Sequence, residues 1–508
     1  MVLSEPRPSK RQTAPAGKSH GREVEVNRLA VEISRHALEL LREQIPVAEV
    51  YELLDEAYRI ADVPFNAAVA AKWGEENFPN GVPASFVEGC VRLFEEAGGD
   101  YEVMARKRLD QLRPGRLNVE RVQRLSSGNP ERERLLSLAE GMVVPLPEGF
   151  EPNGASSLTR PKLRELYLTT HKAVDCKFFE MAVAGLAFVL PMAMAENIGG
   201  IHFSPAHWAV KQGKACGRPT IDSSDRSATT SVLNGREVAE AAAELWSEIE
   251  LPTVVDVVKE VLSLKGTAPE RPWTDLVVWK LDLKGAFTLM SFRPENSKYF
   301  AVELVGGLAM IFLCGLFGWT ATPAAFNVIS RAILHELRVA MGIRARIYVD
   351  DTIAVSWVEK ARAEAGDAKA MMEDLCGSGS VADDKYEATR PGHQRVDVLG
   401  YCLVLDEQLL TLSRRNFFKT IYAFTTVDVS RPVRVRDLER LASLASRYAL
   451  ICPVLRPFCR PLYASYTGLR RNVSARLSSA AKWSVQMRRA MLCCTMLRER
   501  LFARSFQS

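Results

Sequence analysis

RARIYVDDTIAVSW, residues 344–357, holds two runs of strand-forming residues with Asp350 and Asp351 between them. RARIYV and TIAVSW are rich in β-branched and aromatic side chains, so the stretch reads as a hairpin with two acids at its turn. Asp282 lies 68 residues before Asp350 and closes another strand run, LVVWKL, 276–281. If these strands share one sheet, the carboxylates converge at one edge. Such a cluster is costly through mutual repulsion unless cations occupy it. Mg²⁺ answers that need with oxygen ligands, combining one or two carboxylates with substrate phosphates. A pair of such ions stabilises the attacking and leaving oxygens of phosphoryl transfer. An Asp-Asp pair alone is an ordinary solvated turn. The surrounding sequence is what makes it more than that.

Upstream, 26–142 reads as a helical region. Val47, Val50, Leu54, Tyr58 and Ala61 recur at helical spacing behind Pro46, a favourable first-turn residue. Asn129-Pro130 is suited to starting a helix through Leu135, Leu136 and Leu138 that Gly141 ends. The region carries no clustered ligand residues, so it is expected to be a scaffold. Residues 1–25 read as a disordered basic arm, and 143–199 as a linker approaching the next domain. GKACGRPTID, 213–222, reads as a turn between two short strands with Lys214 and Arg218 near its tip. Helices are expected over Glu237–Ile249 and Val254–Leu262. Leu304 to Ser330 is 27 residues without a formal charge, but its glycines, Pro323 and Asn327 fit a lipid-exposed helix poorly. A buried strand, a Gly turn and a buried helix are expected there, and no membrane.

The net charge of +5 is unevenly spread: 413–508 carries 19 Lys/Arg against 4 Asp/Glu. A basic tail on an acidic body points to a polyanion partner. The 10 cysteines include no CxxC pair, and His202, His207 and Cys216 lack zinc spacing. With no signal-peptide pattern, the expected location is intracellular, cytoplasmic and/or nuclear.

DLKGAF (Asp282–Phe287), FGWTATPAAF (Phe317–Phe326), YVDD (Tyr348–Asp351), Lys385 and VLGY (Val398–Tyr401) occur in this order. Together with GKACGRPTID they resemble the consecutive motifs of retroelement and retroviral reverse transcriptases. The text from Gly200 through that hairpin, with the basic tail, looks closest to DIRS-type and LTR-type retrotransposon polymerases. The resemblance implies an α+β fold, a right-hand polymerase of fingers, palm and thumb with a mainly helical N-terminal extension. Fingers would span 200–275 and palm 276–412, with a fingers-like insertion near 290–317. The basic helical thumb or connection would be 413–508.

The resemblance also implies roles. Asp282, Asp350 and Asp351, with the Leu283 carbonyl, would hold two Mg²⁺ ions, with Mn²⁺ as a substitute. Lys214 and Arg218 would hold the triphosphate. Phe287 would stand as a steric gate against a ribose 2′-OH. Gly318 and Trp319 would line the nucleotide pocket, and Tyr348 would pack against the primer's last nucleotide. Lys385 would protonate departing pyrophosphate, and Leu399, Gly400 and Tyr401 would form the primer grip. Expected partners are an RNA or DNA template with its primer, dNTPs, and other retroelement proteins.

Phe317 departs from the polar residue common in retroviral enzymes at that position. No spaced acidic quartet for a ribonuclease H follows residue 412, as in a truncated copy or one piece of a larger polyprotein. Two rival readings remain: an RNA-dependent RNA polymerase, disfavoured by Phe287, and an inactive retroelement-derived nucleic-acid-binding protein.

Overall fold

The computed structural model describes residues 47–61, 67–154, 161–209, 217–225, 231–246, 249–427 and 432–469, with short pieces at 28–39, 474–475, 491–492 and 504–505. The expected arm over 1–25 and Lys214 lie outside the described residues. The chain forms two compact units, one of 64–396 and one of 1–63 with 397–508. The division therefore falls at 397, inside the expected 276–412 segment. The helix Val47–Ala61 belongs with the C-terminal segment rather than with the helices that follow it in sequence. Packing explains that assignment: Tyr58 meets Tyr422 edge to face at 5.2 Å, and Arg414 pairs with Glu56.

In the unit 64–396 the strands are β1 (Ala187–Pro191), β2 (Ala206–Ala209), β3 (Arg218–Ile221), β4 (Leu276–Asp282), β5 (Ala301–Leu304), β6 (Leu308–Phe312), β7 (Arg344–Tyr348), β8 (Asp351–Trp357) and β9 (Glu387–Ala388). They make an antiparallel sheet of order β7-β8-β4-β9, a second of order β1-β6-β5, and the hairpin β2-β3. The uncharged stretch 304–330 begins on the last residue of β5 and holds the buried strand β6, a turn with Gly315 and Gly318, and a buried helix, as expected. Gly306 and Gly307, with φ of 92° and 71°, turn β5 back into β6, and the buried helix Ala321–His335 follows. No helix among the described residues is long and apolar enough to cross a membrane.

Within 143–199 the residues 143–154 are irregular, but regular elements follow from 161. Pro161–Val183 is a helix of 23 residues, and Tyr167, Val174, Phe178 and Ala182 on it are buried. Their spacing of three to four residues, or multiples of it, is the helical signature that reading the stretch as a linker overlooked. The helix Arg132–Glu140 starts just beyond Asn129-Pro130 and ends at Gly141, whose φ is 130°. Residues 119–140 grip the end of the helix Ala321–His335. Ser126 Oγ and Asn129 Nδ2 each donate to Glu336 Oε1 at 2.7 Å, and Arg331 pairs with Glu131 at 3.0 Å. One continuous apolar core runs from these helices through Trp279 on β4 to Trp208 and Ile221 on the β2-β3 hairpin.

In the other unit β10 (Arg395–Val398) carries the chain across the division, and β11 (Tyr401–Val404) pairs antiparallel with β12 (Leu409–Leu412). Helices Arg414–Thr426, Val435–Ile451 and Arg456–Tyr466 follow.

The β2-β3 hairpin is anchored by a close backbone approach. Ile221 N donates to the Phe317 carbonyl at 3.1 Å, and Gly318 lies against the Ile221 carbonyl with a φ of 113°. A Cβ at 318 would overlap that oxygen, and the backbone there is strained for any L side chain. Gly318→Ala is therefore expected to destabilise the unit by about 3 kcal/mol. Urea denaturation checks this, and a change under about 1 kcal/mol would contradict the packing described.

Candidate metal centre and its surroundings

β4 and β8 pair in a register that sets Asp282 opposite Asp351. β7 and β8 pair so that Tyr348 faces Asp351, leaving Val349 and Asp350 as a two-residue turn. Leu283 N donates to the Asp350 carbonyl at 3.1 Å, tying the end of β4 to that turn. Carboxylate oxygens of Asp282, Asp350 and Asp351 consequently lie within 4.8 Å of one another. Asp282 is buried, Asp350 half-buried and Asp351 exposed.

The electrostatics follow from this convergence. Burial pushes Asp350 above the ordinary carboxylate range and the Asp282 charge adds to it, while Lys385 and Arg218 pull the other way. Desolvation of the Asp351 carboxyl, then the charges of Asp350 and Asp282, raise that group to about 6. Lys385 forms an ion pair with Asp282, which raises the ammonium above its usual value. Lys280, paired with Glu387 at 2.5 Å, is a further cation acting on Asp351. An open cleft of about 470 Å³ is lined by Lys280, Asp282, Asp351, Asp384, Lys385 and Glu387. Three oxygen donors in mutual repulsion suit a hard divalent cation such as Mg²⁺. The Leu283 side chain is buried, and its amide serves the Asp350 turn.

Beside this cluster, Phe287 sits in a 3₁₀ turn, Ala286–Leu289, that opens at Gly285 with a φ of 60°. Its ring lies 4.8 Å from Phe317 and 5.9 Å from Phe326, and it is half-buried. The Arg218 guanidinium stacks over Phe317 at 4.8 Å. Arg218, Phe317, Phe287 and Phe326 thus form one row from the hairpin to the helix Ala321–His335. Gly318 has its bare face against β3. Trp319 is a core residue, 1% exposed, donating to the Leu233 carbonyl at 3.2 Å and packing against Phe300 at 5.1 Å. Tyr348 is exposed beside Asp351. Leu399, Gly400 and Tyr401 lie in the other unit. There Leu399 and Gly400 turn β10 into β11 with φ of 51° and 86°, and the Tyr401 hydroxyl donates to the Arg447 carbonyl at 3.1 Å. Nearby, burial together with Arg415, Arg440 and Arg447 lowers Lys419 to about 8.

Two positioning residues escaped the sequence reading. Asn234 Nδ2 donates to the Gly318 carbonyl at 2.7 Å while its Oδ1 accepts from Thr320 N at 2.8 Å, so it clamps the FGWT turn to the segment that follows β3, where Asn234 N donates to the Ser223 carbonyl. Ser330 donates to the Val349 carbonyl at 2.7 Å. An Asn-Gly pair at 234–235 marks a turn in sequence, whereas nothing local to Ser330 reveals its partner.

No protein-family model matches the chain, and no curated protein matches it. Among solved structures it is similar to the foamy viral protease-reverse transcriptase. The match to the dRH form in complex with double-stranded DNA has 12% identity and a TM-score of 0.44, over 75% of this chain and 60% of that one. A second structure of that protein with double-stranded DNA matches at 13% identity and TM-score 0.43, over 76% and 72% of the two chains. A third, with an RNA/DNA hybrid, matches at 12% and 0.41, over 76% and 46%. The chain therefore spans less than two thirds of the length of the first of these.

The carboxyl cluster predicts a pH-dependent response to metal. Because folding raises Asp351 from 3.8 to about 6, its contribution to stability is greatest below 3.8 and declines as pH rises through about 6. A divalent cation offsets this only where the acids are ionised. MgCl₂ is therefore expected to raise Tm at pH 7.5 more than at pH 5, relative to NaCl of equal ionic strength, and Asp282→Asn to remove most of the difference. Thermal denaturation reads it, and an Mg²⁺-independent Tm at pH 7.5 would count against the centre.

Proposed function

We propose that this chain is a template-directed DNA polymerase of the reverse-transcriptase type, transferring a nucleotide from a dNTP to a primer 3′-OH. The observation that carries the reading is the convergence of Asp282, Asp350 and Asp351 at the end of one antiparallel sheet. Within it, β2-β3 takes the part of the fingers, the β7-β8-β4-β9 sheet that of the palm, and the helices after residue 413 that of the thumb. In the reaction the primer oxygen forms a bond to the α-phosphorus, the bond to the bridging oxygen breaks, and pyrophosphate leaves. Divalent cations held by Asp282, Asp350 and Asp351 would supply the charge that stabilises the attacking and leaving oxygens.

The chain's own groups do the rest. Arg218 contacts the triphosphate from the hairpin side, with its guanidinium stacked on Phe317. Lys385, whose ammonium is held in the protonated form by Asp282, provides a proton to the departing pyrophosphate. Phe287, wedged between Phe317 and Phe326, presents a fixed ring edge to the sugar. The rival in which the chain only binds nucleic acid leaves the convergence of three repelling carboxylates without a purpose.

Asp350→Asn is expected to lower primer extension by ~10²-fold or more, equivalent to about 3 kcal/mol of transition-state stabilisation. Primer–template affinity should stay near that of the wild type. A variant with over half of wild-type extension would sink the assignment.

Sugar choice separates DNA from RNA synthesis. A 2′-OH pressed on the Phe287 ring clashes and loses its hydrogen bonds to water. Preference for dNTP over rNTP should be ~10²–10³-fold, each tenfold corresponding to about 1.4 kcal/mol. Phe287→Val should reduce it chiefly by improving rNTP use. Paired kcat/KM values decide, and an unmoved ratio would make Phe287 a packing residue.

A further inference from the structure

The helices ahead of residue 142 enclose a second cleft whose residues are all distinct from those of the carboxylate centre. It lies between the helix Tyr101–Leu112, the 3₁₀ turn Arg113–Gly115 and the segment following Phe287, and it offers a volume of about 50 Å³. A single buried water needs roughly 10–15 Å³, so the space accepts a small polyatomic group. Three cations line it: Arg106, Arg113 and Arg116.

Their charges are unequally answered. Arg113 faces Asp110 at 3.9 Å, and Glu140, the other carboxylate of the cleft, faces Arg293 at 3.6 Å. Neither carboxylate is an ion-pair partner of Arg106 or Arg116 among the described residues. Arg116 Nη1 is buried and has no hydrogen-bond partner. Burial also pulls the Arg116 guanidinium below its ordinary value, and the one titratable neighbour acting on it is Cys314. That thiol, fully buried and pushed up to about 12, is neutral at pH 7 and supplies no counter-charge. A guanidinium stays protonated in a protein, so a buried, unanswered N–H beside two further arginines calls for an oxyanion.

We propose that Arg106, Arg113 and Arg116 form a second anion pocket that takes a phosphate group. Guanidinium forks match the oxygen spacing of phosphate and hold it through paired charge-assisted bonds. The group is either free phosphate or a backbone phosphate of a nucleic acid strand. The pocket is independent of the polymerase reading, because its residues touch none of the acids.

Thermal denaturation of the full chain in sodium phosphate and in sodium chloride of equal ionic strength tests this without an activity readout. Phosphate is expected to raise the wild-type Tm by about 2 °C. Arg116→Met, which keeps the apolar stem, should abolish the rise. Arg106→Gln, at an exposed position where folding is not at stake, should at least halve it. Replacing phosphate by an eight-nucleotide oligothymidylate distinguishes the sources. A rise that requires Arg116 assigns the pocket to a strand's backbone, and a rise with inorganic phosphate alone assigns it to the free anion. Equal phosphate responses in all three proteins are the general effect of a stabilising salt, and they would overturn the proposal.

Discussion

Asp282 and Asp351 are cross-strand neighbours in an antiparallel sheet, and like charges directly opposite one another oppose pairing. Everything near the centre is arranged around that conflict. The register that causes it is not negotiable, because β4 is buried along nearly its whole length and β8 is buried after its first residue. A slip of one residue would turn every side chain of the slipped strand to the other face of the sheet. Packing of Trp279, Val278, Ile353 and Val355 therefore forces the acids together, and the repulsion is relieved by Lys385, Lys280 and Arg218. Lys385 pairs with Asp282, which makes this ammonium a counter-ion of the centre.

Between the β2-β3 hairpin and the helix Ala321–His335 runs a row built on ring and backbone contacts. Phe326 belongs to the buried face of the helix Ala321–His335, Phe287 leans on it, Phe317 leans on Phe287, and Arg218 covers Phe317. The order of that row depends on Gly318, whose missing side chain lets β3 close on the turn, and on Asn234, which holds the Gly318 carbonyl. Each ring in the row is thus held by a neighbour from another element.

Residues whose signal is local were legible in the sequence. β-branched runs ending in aspartates foretold β4, β7 and β8, and the Asp350-Asp351 turn followed from them. Residues whose role depends on distant partners were not. Trp319 resembles a pocket residue by motif, but it is enclosed by Phe292, Phe300 and Trp246 from three separate segments. The helix Val47–Ala61 was readable from its apolar spacing, yet its partner, Arg414–Thr426, lies more than 350 residues away. Arg116 looks like any loop arginine until the surrounding helices bury it. Periodicity reports which face of an element is apolar; it carries no address for what covers that face.

The turn between β7 and β8 shows how the site is held at a cost. Val349 has a φ of 57°, a left-handed conformation that is an outlier for a β-branched residue, and such strain costs on the order of 1–3 kcal/mol. A two-residue hairpin requires positive φ at its first or at both central positions, where glycine or asparagine would relax it. This chain instead fastens a valine there: Ser330 donates to the Val349 carbonyl, Leu283 donates to the Asp350 carbonyl, and Tyr348 pairs with Asp351 beneath. Those contacts come from a helix, from the end of a neighbouring strand and from the hairpin itself, so the turn is over-determined. A glycine would ease the backbone but also widen the directions in which the Asp350 carboxylate can point. Strain at 349 with restraint from three sides keeps that carboxylate aimed at Asp282, and this is the orientation on which any cation shared by the two acids depends.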